Sequence, residues 1–236
     1  MGALEGRRAL VTGGSRGIGR AVARALAHEG ARLVLCARGG AALERIASEL
    51  GAAAVSADVS VAADVERLVV QTERTLGAAP DIVVSAAGAF GLEPLASTTV
   101  EAFDTMLAVN LRAPFLLMRA FLPALLQRRA GHIVSVGSIA GRQAFPSNGA
   151  YAASKFGLRG LHAVLDAELR GTGVRATLVE PAATDTALWD AIDPAVNPGL
   201  PARSAMLQPE DVASAVLYAL TRRPEVDVRN LLLERA

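Results

Sequence analysis

The stretch Ala9-Leu10-Val11-Thr12-Gly13-Gly14-Ser15-Arg16-Gly17-Ile18-Gly19 decides the fold. Four residues of strand character run straight into a glycine-rich turn, and a helical pattern takes over from Ile18 to Glu29. Such a strand–turn–helix needs glycine where the backbone bends sharply and where it comes close to a pyrophosphate. The unpaired N–H groups at the helix start then favour an anion. The spacing over Gly13, Gly17 and Gly19 is Gly-x-x-x-Gly-x-Gly, not the more common Gly-x-Gly-x-x-Gly. A glycine-rich turn also occurs with no ligand at all, but its place after the first strand of a βαβ unit favours one.

Outward from this turn, short β-branched runs keep alternating with longer helical patterns. The strand candidates are 9–12, 32–36, 53–56, 82–85, 132–136, 176–179 and 230–233, and the helical ones 18–29, 41–50, 62–76, 100–127, 151–170 and 209–220. Most strands are almost wholly apolar, as strands covered by helices on both faces must be. Gly30 and Gly51 follow helices as terminating glycines do, and Pro209 with Glu210 and Asp211 suits the front of the last helix. The pattern predicts one domain over residues 1–236, a doubly wound Rossmann-type α/β fold with a seven-stranded parallel sheet. Residues 182–208 lack periodicity and are long for a loop, which points to function or mobility.

Composition narrows the function classes. Hydrophobic residues make up 52% of the 236 and charged residues 20%, which suits a large buried core. A net charge of +1 with both signs scattered gives no reason to expect nucleic acid or an anionic membrane surface, and 4% aromatics make a base-stacking platform a poor fit. The one cysteine, Cys36, excludes an internal disulfide and reads as a small core residue. Residues 1–6 lack the basic-then-apolar layout of a signal peptide. The most apolar run, 113–126, is broken by Arg119 and Pro123 and reads as too short to span a bilayer. The expectation is a cytoplasmic protein with no membrane partner. His28, His132 and His162 are far apart and near no cysteine or carboxylate cluster, so no metal site is expected.

The second strand should end near an adenosine ribose, where NAD-binding proteins usually place a carboxylate on the 2′-hydroxyl. Here it ends Cys36-Ala37-Arg38, and no acidic residue falls between Glu29 and Glu44. Arg16 adds a second guanidinium. Two arginines and no carboxylate suit the 2′-phosphate of NADP(H), because guanidinium matches phosphate oxygens in charge and geometry. An ordinary surface arginine is the other reading of Arg38 in a chain whose basic residues are arginine with one exception, Lys155.

That lone lysine stands four residues after Tyr151, one of only two tyrosines, on a predicted helix. The two side chains therefore share a face. A cation beside a phenol favours phenolate and lowers the tyrosine pKa, giving an acid/base that works in either direction. Ser138 ends the fifth predicted strand, where ligands meet open α/β sheets, and can hydrogen-bond a substrate oxygen as its charge changes. A tyrosine–lysine pair at this spacing also arises by chance on many helices.

Taken together, residues 12–19, Asn110, Ser138, and Tyr151 with Lys155 resemble the short-chain dehydrogenase/reductase family in order and spacing, over nearly the whole chain. The resemblance implies Tyr151 as acid/base and Ser138 as partner of the substrate oxygen. It implies that Lys155 lowers the tyrosine pKa and binds the nicotinamide ribose, and that Asn110 holds a water in a proton relay behind it. Gly13, Ser15, Arg16, Gly17, Ile18, Gly19 and Arg38 would bind the cofactor, with Asp58 and Val59 at adenine and Ala87 and Gly88 along the cleft. Two departures are visible. Ser85-Ala86 stand where members often have two asparagines, and Pro181-Ala182 replace the usual Pro-Gly, with Thr184 and Thr186 still placed to hold the carboxamide.

By the same resemblance 182–208 forms a lid over the substrate, a small carbonyl compound or alcohol. Leu188 and Trp189 on the lid suit an apolar substrate group, or merely pack the lid down. Arg142, Gln143 and Asn148 are candidates for polar selectivity, with Gln143 taken into the expected substrate site. The ending 224–233 looks like NADP-dependent 3-hydroxy-acid dehydrogenases and broad carbonyl reductases more than reductases of 3-oxoacyl thioesters, which stay as the alternative. A non-catalytic NADP-binding sensor or scaffold is the alternative of another class, expected to have lost part of the Asn110–Ser138–Tyr151–Lys155 set. The family also implies a homodimer or homotetramer packed through helices 100–127 and 151–170.

Overall fold

A computed structural model of the chain describes residues 2–195, Asn197 and residues 199–236; Val196 and Pro198, within the expected lid, lie outside the described residues. The strands are β1 (Arg8–Thr12), β2 (Arg32–Ala37), β3 (Ala53–Ser56), β4 (Ile82–Ser85), β5 (Gly131–Val136), β6 (Val174–Pro181) and β7 (Asn230–Leu233). They form one parallel sheet in the order β3-β2-β1-β4-β5-β6-β7, reversing direction of growth between β1 and β4. The helices are α1 (Gly17–His28), α2 (Ala41–Glu49), α3 (Ala62–Leu76), α4 (Val100–Leu107), α5 (Ala113–Arg128), α6 (Gly149–Glu168) and α7 (Pro209–Leu220).

The strands' two-residue period sends alternate side chains to two helical layers. Ala9, Val11, Leu33, Leu35, Ile82 and Val84 pack beneath α1, α2 and α7 through Val22, Leu26, Ile46 and Val216. Leu10, Val34, Cys36 and Val83 face the other way, onto Val65 and Leu68 of α3 and Leu117 and Phe121 of α5. Leu165 and Leu169 at the end of α6 extend that layer beside Met118 and Leu125. Strands covered on both sides explain the unbroken apolar runs. Burial also pushes the Cys36 thiol up to about 12, which makes it inert.

The segment read as one helix, 100–127, departs from that reading in its middle. Ala108–Arg112 is a π-turn between α4 and α5. Pro114 has no N–H to offer the Asn110 carbonyl four residues back, so the α-helical register cannot close there and one wider turn takes its place. The continuous helical run Val100–Arg128 is 29 residues and is long and apolar enough to cross a membrane by composition. Its Leu117, Phe121 and Leu125 are instead fully buried against the sheet.

The expected lid is tied at its base. Thr184 and Leu207 form a β-bridge, with Asp185 N–H donating to the Leu207 carbonyl at 2.8 Å and Leu207 N–H to the Ala183 carbonyl at 2.9 Å. Two short 3-10 turns, Ala187–Trp189 and Arg203–Ala205, lie between these ties. Arg203 links them, donating to Asp185 at 2.8 Å and Asp190 at 2.5 Å.

Candidate active site

All the strands point their C-terminal ends to one edge, and a cavity of about 450 Å³ opens there. It gathers Ile18, Ala87, Gly88, Asn110, Ser138, Gln143, Tyr151, Lys155, Pro181, Thr184, Thr186, Leu188 and Trp189 from six separate stretches of chain. Gly13, Ser15, Arg16, Gly17, Gly19, Arg38, Asp58 and Val59 do not line it. They belong to the neighbouring edge formed by the ends of β1, β2 and β3, where Thr12 pairs with Cys36 and Cys36 with Val55.

The glycine turn is shaped by close packing. Gly13 has φ +69, and a Cβ there would sit 2.8 Å from the Ala86 and Ala87 backbone; a Cβ on Gly19 would overlap the Gly13 carbonyl. Arg16 is the N-cap of α1 and no side chain caps the first turn, so the leading amides remain open to an anion. Arg16 and Arg38 are both exposed. Asp58 is half-buried, and its Oδ1 already accepts from the Ser60 amide (2.9 Å) and hydroxyl (2.6 Å).

Ser138 follows β5 and caps a 3-10 turn, Ile139–Gly141, its Oγ accepting from Ala140 N–H at 3.1 Å. That spends an acceptor site and leaves the hydroxyl hydrogen for another partner. Gly141 lets this turn lie on α6, since a Cβ would come within 2.8 Å of the Lys155 carbonyl oxygen. Tyr151 begins its face of α6 half-buried, and Lys155, one turn on, is 5% exposed. Lys155 Nζ lies 5.6 Å from the Tyr151 ring centroid and donates to the Val136 carbonyl at 2.9 Å.

Burial dominates the electrostatics of both groups. Burial raises the Tyr151 pKa, and the Ser138 hydroxyl only partly offsets this. Burial also lowers the Lys155 pKa, to about 8. The ammonium's short contact is with a backbone carbonyl rather than the phenol, so desolvation governs both groups.

Asn110, in the π-turn and 1% exposed, spends both ends of its amide on protein. Oδ1 accepts from Ala89 N–H at 2.9 Å; Nδ2 donates to the Ala89 carbonyl at 2.9 Å and to Ser154 Oγ at 3.1 Å. The Ser154 hydroxyl in turn donates to the Tyr151 carbonyl at 2.6 Å. Asn110 thus brackets the loop after β4 to the helix that carries Tyr151 and Lys155.

Several residues at the site escaped sequence reasoning. Phe90 makes edge-to-face contacts with Tyr151 (centroids 4.9 Å) and Trp189 (4.7 Å), joining the lid to the centre. Glu180 in β6 is fully buried and accepts from Arg142 Nε at 2.8 Å and Nη2 at 2.5 Å, with Arg159 Nε 3.6 Å from its other oxygen. Arg142 is therefore bound to Glu180, and its charge is not free for substrate selection. Arg235, near the end of the chain, also lines the cavity. Only the Glu180–Pro181 neighbourhood carried a readable hint, a lone acid in an apolar strand.

A family model described as short chain dehydrogenase matches residues 7–197. Among curated proteins, glycine betaine reductase ATRR of Emericella nidulans is 37% identical over 99% of this chain, which spans only 19% of that longer protein. An uncharacterized oxidoreductase of Staphylococcus aureus (strain MW2) is 33% identical over 98% of both chains. A metagenomic short-chain oxidoreductase solved in complex with NADP is 34% identical, with a TM-score of 0.83 over 99% of each chain. An alcohol dehydrogenase from the archaeon Thermococcus sibiricus, complexed with 5-hydroxy-NADP, is 33% identical, with a TM-score of 0.84 over 96% of this chain and 95% of that one.

Proposed function

The chain belongs to the short-chain dehydrogenase family, and from that premise we propose an NADP(H)-dependent oxidoreductase that moves hydride between nicotinamide and a small carbonyl compound or secondary alcohol. The observation that carries this reading is the convergence of Ser138, Tyr151, Lys155 and Asn110 on one cavity at the C-terminal edge of the sheet. NADPH, when bound, supplies the hydride.

The chain's residues fit such a cofactor. The uncapped first turn of α1 and the close-packed glycines offer backbone amides to a pyrophosphate. Arg16 and Arg38 present guanidinium groups at the ends of β1 and β2, for the 2′-phosphate. Pro181, Thr184 and Thr186 line the cavity and would hold the nicotinamide carboxamide.

In the reductive direction Tyr151 gives its phenolic proton to the carbonyl oxygen, and Ser138 donates a hydrogen bond to the same oxygen as charge grows on it. The raised phenol pKa keeps Tyr151 protonated at neutral pH, ready to donate. Lys155 then stabilises the phenolate; a depressed pKa suits it to pass on a proton. The Asn110 side chain is fully engaged with Ala89 and Ser154, so a relay water at this residue would be held by its backbone carbonyl. Exchanging Tyr151 for Phe tests the reading: NADPH oxidation with a carbonyl panel should collapse while NADPH still binds.

A further inference from the structure

The cavity's charges are one-sided. Among the described residues no Asp or Glu lines it, and its cations are Lys155 and Arg235. Lys155 sits within the reaction centre. Arg235 comes from elsewhere: β7 pairs with β6 through Pro181 and Leu233, and Ala182 N–H donates to the Leu233 carbonyl at 2.8 Å. The chain therefore leaves the sheet beside the start of the lid, two residues before Arg235. Its Nη1 donates to the Ser204 carbonyl in the lid's second 3-10 turn. Nε and Nη2 make no protein hydrogen bond among the described residues.

Two arginines beside the Ser138 turn and the lid are neutralised. Arg142 is held by Glu180, and Arg203 by Asp185 and Asp190. Arg235 pairs with no carboxylate among the described residues and still borders the cavity.

A second, independent observation lies in the lining of the same cavity. Asn148 is only 6% exposed and lines it, three residues before Tyr151 at the start of α6. Its Oδ1 is buried without a partner, and its amide makes no side-chain hydrogen bond among the described residues. A buried amide left unpaired is costly, and a ligand group that pairs with it recovers that cost. The amide can turn end for end, so it can present its N–H₂ to an acceptor.

We propose that Arg235 and Asn148 form a carboxylate-recognition subsite, so that the substrate is a small oxo acid or the corresponding hydroxy acid. This rests on the reductase reading of the same cavity. A carboxylate matches the two free guanidinium nitrogens in charge and geometry, and its remaining lone pairs take the Asn148 amide. The apolar walls from Phe90, Phe145, Leu188 and Trp189 leave that anion no competing acid.

The test uses enzyme saturated with NADP⁺, which cannot reduce an oxo acid, titrated calorimetrically with acetoacetate and with its uncharged methyl ester. Acetoacetate should bind at least tenfold more tightly than the ester. Arg235→Gln should abolish that preference, Arg235→Lys should keep part of it, and Asn148→Ala should reduce it. Equal affinities for acid and ester, or a preference that survives Arg235→Gln, overturn the subsite. So does a loss of NADP⁺ affinity in Arg235→Gln as large as its loss of acid affinity, which assigns the arginine to the cofactor. Acid preference in binding without NADPH-driven turnover of any member of a carbonyl panel leaves the subsite standing and removes the reductase reading. Turnover of acid and ester with equal kcat/KM does the reverse.

Discussion

Replacing Glu180 by Gln keeps the side chain's size and removes its charge at the point where three elements meet. Glu180 lies in β6, Arg142 follows the Ser138 turn, and Arg159 stands one turn beyond Lys155 on α6. The carboxylate is fully buried, while the arginine side chains are 31% and 43% exposed, so the freed guanidinium groups regain some hydration. Complete loss of a buried pair costs about 3–5 kcal/mol. Partial rehydration, and one amide oxygen still able to accept from Arg142, bring the expected cost down to about 2–3 kcal/mol. For a chain of this size that is a fall of roughly 4–12 °C in Tm, measured beside urea unfolding at fixed pH. A cycle with Arg142→Met should show coupling of about 1–2 kcal/mol. Because Ser138 hangs on the same turn, kcat should fall about tenfold with any carbonyl the enzyme reduces. A loss below about 0.5 kcal/mol, or additive effects in the cycle, would refute the argument that this pair ties the Ser138 turn to the sheet.

Other outcomes follow from the same geometry. Lys155 is buried with a pKa lowered to about 8, so the native state carries a desolvation cost that fades as pH rises from about 8 towards 10.5. Lys155→Met should therefore be more stable than the parent at pH 7 by up to about 3 kcal/mol, with the gap closing at high pH and activity lost; a destabilised variant at pH 7 contradicts this. His132 and His162 are buried with pKa values lowered to about 3 and about 4. The Thr177 hydroxyl, which donates to the Val228 carbonyl, leaves His132 Nε2 to donate to it, so Nδ1 stays bare and unpartnered. Both rings favour the native state only while neutral. Their contribution is intact above pH 6.5 and falls by about 1.4 kcal/mol per ring per pH unit below it, towards pH 4. Urea midpoints taken between pH 7 and 4.5 should show that slope. Arg38→Asp should weaken NADPH use at least tenfold, about 1.5 kcal/mol or more, and improve the ratio of NADH to NADPH turnover; an unchanged ratio would remove Arg38 from the cofactor site.

What the sequence disclosed was local. The glycine turn, the apolar strands and the Tyr151–Lys155 spacing each lie within a few residues, and each has a period or a backbone demand to reveal it. The expected strand and helix ends fall within a few residues of the observed ones at most termini, as for α2 and α7. The π-turn was signalled by Pro114, but helical periodicity runs through it on both sides and hides it. The remaining features are made by distant partners. Glu180 meets Arg142 across 38 residues, and Asn110 meets Ser154 across 44. Arg235 reaches the cavity only because β7 docks beside β6. Arg142 looked available for substrate because nothing near it in the chain reveals the acid that holds it. The hydrogen bond from Lys155 to the Val136 carbonyl was hidden for the same reason, since that carbonyl belongs to another element.

The most direct measurement of the central claim compares the parent protein with Tyr151→Phe in two assays run together, NADPH oxidation against a carbonyl panel and NADPH binding by fluorescence. The account predicts turnover by the parent, a loss of at least a thousandfold in the variant, on the scale of a missing general acid, and cofactor binding in both. Turnover that persists in Tyr151→Phe at a comparable rate would contradict it.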